Sequence, residues 1–160
     1  MPKLHLGVIE VPYGNVEPPA PPPKKPGKRP RVAPGAGQGK TTGDVAEILE
    51  AKYHVMEIFA QINGQKMADS LVNSLQGTVE SLMMGAPLTQ DPFGTATSEI
   101  DEMFKKFIDQ KVMDSLGYPG VPTKAALAGR SHRFKTKHGP ERPSFYDTGL
   151  YVDNFKSWLD

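Results

Sequence analysis

The sequence contains no cysteine among its 160 residues. This absence excludes disulfide bonds, thiolate nucleophiles and zinc sites built on cysteine. No apolar run approaches the roughly 20 residues that a helix needs to cross a bilayer. The first ten residues also lack the apolar stretch of a secretory signal. We therefore expect a soluble, non-secreted protein with no membrane contact.

Net charge is nearly absent as well, since 19 basic and 18 acidic residues leave a formal charge of +1. This balance excludes an acid-rich disordered chain and a uniformly basic nucleic-acid binder. Apolar residues make up 38% of the chain, below the roughly 45–50% of compact domains, a figure that also counts glycine. Proline and glycine, at 16 each, are abundant. The composition indicates a protein that is part folded and part extended.

Eight of the 16 prolines fall between Pro18 and Pro34. A fixed φ and a missing N–H exclude helix and central strand there, so polyproline II or extended coil is expected, with a reach of about 60 Å. Residues 24–40 carry six basic and no acidic side chains. This segment has three interpretations: an inert spacer, a PxxP ligand, or a cationic arm that docks on an acidic protein or a nucleic acid. The candidate arm residues are Lys24, Lys25, Lys28, Arg29 and Arg31.

Charge is segregated along the rest of the chain. Residues 43–123 hold twelve acidic and five basic side chains, and residues 124–142 hold one acidic and six basic. The overall neutrality is thus a cancellation, and the acidic body could attract a basic segment of a neighbouring copy. The candidate contacts of this basic loop are Arg130, Arg133, Lys135, Lys137 and Arg142.

Apolar periodicity predicts three helices in the acidic body. The first begins at Asp44, with Glu47 three residues on, and ends at Asn63-Gly64. The second covers residues 67–82 despite the weakening effect of Gly77, and the third begins at Ser98 and reaches residue 116. The sequence therefore predicts a mainly helical body.

The two ends differ from this body. Alternation over residues 4–11 predicts a short extended segment with no partner strand in its own chain. It would add to another subunit's sheet or form a frayed terminus. The apolar spacing over residues 150–159 predicts a short amphipathic helix. We expect an α+β fold: an extended Pro-rich N-terminal arm over residues 1–42, and a mainly helical assembly domain with short strands over residues 43–160.

No catalytic or cofactor motif is complete. Residues 35–42, GAGQGKTT, resemble a phosphate-binding loop, but the required first glycine is replaced by Pro34. A flexible hinge is the better interpretation. The four histidines lack metal-ligand spacing, and no serine lies in an elbow-type glycine frame. We expect no enzyme activity, no cofactor and no metal.

The C-terminal stretch carries a resemblance. Residues 142–151, RPSFYDTGLY, followed by NFKSW at 154–158, resemble a segment of small tailed-phage virion morphogenesis proteins. Those proteins join heads to tails or complete the tail. The residue types at positions 147–149 also favour a turn on physical grounds. Thr148-Gly149 allows a tight turn, and Asp147 or Thr148 can cap the last helix by accepting its N–H groups. Leu150, Phe155 and Trp158 would then pack the terminus onto its own domain or onto the next copy.

The resemblance implies a structural protein of the virion, assembled in the host cytoplasm. It would be one copy in a closed neck, head-to-tail connector or tail-completion ring with heterologous contacts. Its partners would be copies of itself and other neck, portal or tail proteins, with non-specific contact to DNA. The alternatives are a baseplate or tail adaptor of the same virion, and a non-viral binding module that uses the basic Pro-rich arm.

Overall fold

The computed structural model of the chain describes residues 3–13, 40–87, 91–130 and 138–160. The described part is mainly helical with one two-stranded antiparallel sheet, which agrees with the expected α+β class. The elements in chain order are β1 (Leu4–Val8), α1 (Thr42–Tyr53), α2 (Val55–Met83), α3 (Gly94–Asp109), α4 (Val112–Ser115), α5 (Lys124–Leu127), α6 (Leu150–Asp153) and β2 (Phe155–Leu159). None of the helices in these ranges is both long and apolar enough to cross a membrane.

Helix α1 is capped one turn earlier than the sequence predicted. The Thr41 hydroxyl accepts the Asp44 N–H at 3.2 Å, and the Asp44 carboxylate accepts the Thr41 N–H at 2.8 Å. This reciprocal pair is a capping box, so Asp44 is its acidic partner and Thr41 is the cap. The helix ends at Tyr53 because His54 adopts a left-handed conformation with φ 51°.

The predicted helix end at Asn63-Gly64 is wrong. Helix α2 is 29 residues long and runs through that pair and through Gly77. The Asn63 side chain donates to the Phe59 carbonyl at 3.1 Å, a bond within the helix itself. Met67 is buried beyond the glycine and holds the next turn on the core. Tertiary packing on both sides thus outweighs a local stop signal worth about 1 kcal/mol.

The third predicted helix is both earlier and shorter than expected. Helix α3 begins at Gly94 and ends at Asp109, and α4 follows only after Lys111 takes a left-handed conformation. Ser98, the predicted first residue, lies within the helix, and so does Asp101. The buried side of α3 carries Ala96, Ile100, Asp101, Phe104, Phe107 and Ile108.

Aromatic side chains from three elements form the centre of the core. The Phe104 ring stacks on Phe155 with centroids 3.9 Å apart, and the Phe59 ring lies nearly perpendicular to both. Phe59 and Phe104 are 0% exposed and Phe155 is 1% exposed. Because such rings bury the largest apolar area per residue, this cluster joins α2, α3 and β2.

The predictions for the two ends of the chain are corrected by the sheet. Strand β1 pairs with β2 of the same chain, with Leu4 opposite Leu159 and Val8 opposite Phe155. The predicted C-terminal helix is therefore limited to residues 150–153. The reason is a change of period: Phe155 and Ser157 are buried, whereas Lys156 and Trp158 face solvent, as in a half-buried strand.

Candidate interaction site

The two ends of the Pro-rich segment lie side by side on the body. The Thr42 hydroxyl accepts the Val11 N–H at 2.8 Å and donates to the Ile9 carbonyl at 2.5 Å. The Thr42 N–H donates to the Val11 carbonyl at 2.9 Å, and the Tyr13 N–H donates to the Lys40 carbonyl at 3.2 Å. Thr42 is 0% exposed, so the bonds of its hydroxyl are partly shielded from water. We call this arrangement the root, formed by residues 9–13 and 40–42.

The root changes the geometry available to residues 14–39, which lie outside the described residues together with candidate arm residues 24–31. Since the chain enters at Tyr13 and returns at Lys40, it must leave and come back within 26 residues. Both ends of this segment are thus fixed at the root, whereas the reach of about 60 Å expected for an arm stays a prediction.

A cleft of about 210 Å³ opens beside the root. Tyr13 lines one side, and the segment from Arg142 to Gly149 lines another. Its remaining walls come from α1, from the start of α5 and from Tyr151. The segment over residues 142–149 therefore lies next to the root.

The arginine of that segment points into the fold. The Arg142 guanidinium forms an ion pair with Asp147 at 3.1 Å and donates to the carbonyls of Tyr146 and Arg130. Asp147 was expected to cap the last helix, but α6 begins after Gly149 with no side-chain cap. Asp147 instead pairs with Arg142, which also bonds to the backbone of the loop. Arg142 therefore stabilises the fold and is not a free basic contact.

Gly149 occupies a position that a side chain would crowd. Its φ is +81°, and an added Cβ would lie 3.0 Å from an Asp153 carboxylate oxygen and 3.2 Å from the Tyr146 hydroxyl. The Leu150 N–H reaches the Thr148 hydroxyl at 3.4 Å. Left-handed backbone costs other residues about 1–2 kcal/mol, so the turn at Thr148-Gly149 needs glycine.

Tyr151 also lines the cleft. Its hydroxyl is buried and has no hydrogen-bond partner among the described residues. Burial, with smaller contributions from Glu50 and Tyr13, raises the pKa of this phenol well above its usual range. The Tyr151 phenol is therefore neutral in the folded protein at neutral pH.

The remaining predicted site residues are dispersed. The C-terminal apolar residues were expected to pack either on their own domain or on the next copy. Phe155 packs in the core of its own chain. Trp158 is 49% exposed on the outer face of the sheet, stacked on His5 with ring centroids 5.4 Å apart. Leu150 is half-buried and Arg130 is exposed, whereas Arg133, Lys135 and Lys137 lie outside the described residues.

One group of potential metal ligands was not anticipated from the sequence. Glu50, His54 and Glu57 bring their ligand atoms within 4.8 Å of one another, at a spacing of four and three residues. The Glu50 carboxylate already accepts the N–H groups of Met56 and Glu57, and the His54 imidazole lies 3.0 Å from Glu57. The group thus caps the start of α2 and joins it to α1.

The apolar run over residues 67–82 is divided between core and solvent. Of its apolar side chains, Met67 is buried and Leu71 is half-buried. Leu75, Val79 and Leu82 are 46–49% exposed, and the neighbouring Val72 is 62% exposed. Helical periodicity gives the face of a helix but does not say whether the chain itself covers it.

No protein-family model matches the sequence, and comparisons with curated proteins and with solved structures also find no match.

Proposed function

We propose that the protein is a structural component of a tailed-phage virion. It acts as one copy of a neck, head-to-tail connector or tail-completion ring held by subunit contacts. The observation that carries this proposal is the root, where buried Thr42 fixes both ends of a basic, Pro-rich segment on the body. The resemblance of residues 142–151 to phage morphogenesis proteins supports it.

Charge explains how such a segment would act. Residues 24–40 carry six basic and no acidic side chains, while residues 43–123 carry seven more acids than bases. A segment anchored at both ends has a limited span, so it can contact the acidic body of an adjacent subunit but not a distant one. Repetition of this contact around a ring multiplies a weak attraction by effective concentration.

The test compares the assembly of three forms of the full chain by native mass spectrometry and negative-stain electron microscopy. One variant replaces residues 14–39 with a short Gly/Ser connection, which the adjacent positions of Tyr13 and Lys40 permit. The second replaces Lys24, Lys25, Lys28, Arg29 and Arg31 with glutamine and keeps every proline. A Pro→Ala set at residues 18–23 that keeps the charges is the matched control.

We expect rings from the natural chain and from the control, and monomers of unchanged fold from the other two variants. Rings should also dissociate as salt is raised, because the contact is electrostatic. A chain that stays monomeric in every form and is absent from purified particles would overturn the proposal. Salt-sensitive binding to duplex DNA without ring formation would favour the alternative of a binding module.

A further inference from the structure

The second half of α2 carries a line of exposed apolar side chains. Val72, Leu75, Val79 and Leu82 are between 46% and 62% exposed. Ala68, also exposed, extends the line by one turn. The successive spacings are four, three, four and three residues, which is the heptad spacing of a coiled-coil seam. We call residues 68, 72, 75, 79 and 82 the α2 seam.

The seam is separate from the side of α2 that packs on the body. Leu71, Ser74 and Thr78 are half-buried, and the hydroxyl of Ser74 donates to the Pro92 carbonyl at 2.8 Å. At about 100° per residue, the centre of the seam lies roughly 90° around the helix from that side. Within the described residues 68–87 none is buried, so this end of the helix extends past the core.

Charge is scarce along this end of α2. Residues 70–87 contain one ionisable side chain, Glu80, which lies off the seam, and no lysine or arginine occurs between Lys66 and Lys105. Helices that lie on a membrane surface carry basic residues on their polar face. Protein interfaces, in contrast, are poor in charge and rich in methionine. Met83 and Met84 are 83% and 88% exposed at the end of the seam.

The residue types of the seam select the partner. Valine occupies the a positions 72 and 79, and leucine occupies the d positions 75 and 82. A β-branched residue at a with leucine at d favours two parallel strands. Across such a pair, the flanking g and e positions bring Leu71 near Gln76 and Thr78 near Met83 of the other copy. No like charges then face each other when the partner is identical.

We propose that the α2 seam pairs in parallel with the α2 seam of a second copy of this chain. The seam rises about 21 Å, two heptads, and each copy would bury on the order of a few hundred Å². This is less than the roughly 800 Å² per partner of a standard interface, so the dimer is weak and concentration-dependent. It goes beyond the proposed function, because a two-fold contact differs from the head-to-tail contact of a ring.

Sedimentation equilibrium of the full chain tests the pairing. The double variant Leu75→Glu/Val79→Glu places charge on the seam at exposed positions. Its matched control, Asn73→Glu/Ser81→Glu, adds the same charge away from the seam. We expect the seam variant to weaken dimerisation at least about tenfold and the control less than about twofold. Both should retain the circular-dichroism spectrum and melting temperature of the natural chain. A natural chain that remains monomeric at high concentration, or equal effects of both variants, would overturn the proposal.

Cross-linking tests the orientation, and the natural absence of cysteine makes it specific. Val79→Cys and Ala68→Cys are each expected to form disulfide-linked homodimers under mild oxidation, since parallel strands place each residue opposite itself. Asn73→Cys, off the seam, should not. Cross-linking only in a mixture of Ala68→Cys and Leu82→Cys would indicate antiparallel strands and overturn the proposal. Seam variants that lose the dimer but still form loop-dependent rings separate this inference from the proposed function.

Discussion

The carboxylate of Asp101, in the middle of α3, holds strand β2 through Ser157. One oxygen accepts the Ser157 N–H at 2.8 Å and its hydroxyl at 2.9 Å, and the other pairs with the Lys156 ammonium at 2.8 Å. Both Asp101 and Ser157 are 7% exposed. A buried carboxylate is costly unless it is satisfied in this way, so the contact fixes the register of the last strand on the helix.

Replacing Asp101 should therefore destabilise the fold. In Asp101→Ala the Ser157 N–H loses its acceptor, and we expect the free energy of unfolding to fall by about 2–3 kcal/mol. Urea denaturation followed by circular dichroism measures this loss. Glu102→Gln is the control, because Glu102 is exposed and its ion pair with Lys106 is long, at 3.8 Å, so its effect should stay within about 0.5 kcal/mol. Equal losses in the two variants would contradict the role of Asp101.

Two glycines should respond in opposite directions to alanine. Gly149→Ala forces a Cβ into a left-handed turn against Asp153 and Tyr146, so we expect a loss of about 1–3 kcal/mol. Gly77→Ala lies within α2, and apart from the adjoining backbone no described atom lies within 4 Å of the new Cβ, so we expect a gain of about 0.5–1 kcal/mol. Thermal unfolding of both variants checks the pair. A stabilised Gly149→Ala would contradict the turn geometry.

The buried phenol of Tyr151 makes stability fall in alkaline solution. Its pKa is raised in the folded state, so above about pH 10 the unfolded chain releases a proton that the folded chain keeps. Stability is then unaffected by this group below pH 10 and declines by up to about 1.4 kcal/mol per pH unit above it. Urea titrations from pH 8 to pH 11 should show a steeper decline for the natural chain than for Tyr151→Phe. Parallel curves would contradict the burial of the ionisable group.

Tyr151→Phe should also be tolerated at neutral pH. The hydroxyl has no hydrogen-bond partner among the described residues, so its removal leaves no group unpaired. We expect a change in the free energy of unfolding of less than about 1 kcal/mol, with either sign. Urea denaturation at pH 7 measures it, and a large loss would mean that the hydroxyl has a partner in the folded protein.

The root should depend on the Thr42 hydroxyl. Thr42→Val keeps the shape of the side chain but leaves the Val11 N–H without its acceptor, at a cost of about 1–3 kcal/mol. Hydrogen exchange of the Val11 amide should accelerate more than exchange in α3. Thr95→Val, an exposed threonine in the first turn of α3, is the control and should change neither. Unchanged exchange at Val11 would contradict the root.

The sequence predicted the parts of the fold that depend on local chemistry. Three runs of helical periodicity correspond to α1 with the start of α2, the rest of α2, and α3. The tight turn predicted at Thr148-Gly149, which requires glycine, matches the positive φ of Gly149. The errors are at boundaries, at residues 54, 63–64 and 98, where a left-handed residue or packing by Met67 decided where a helix ends.

Other features were decided only by tertiary structure. The last residues form a strand because β1, about 150 residues earlier in the chain, supplies the hydrogen bonds and Asp101 supplies the anchor. The Pro-rich segment is tied at both ends because buried Thr42 bonds to the backbone of residues 9 and 11. The apolar face of α2 is divided between core and solvent because α3 covers only one side. The sequence by itself determined the uneven distribution of proline and charge and the helical character of the body. Contacts between residues distant in sequence decide which strands pair and which apolar side chains remain exposed. Local periodicity does not specify those contacts.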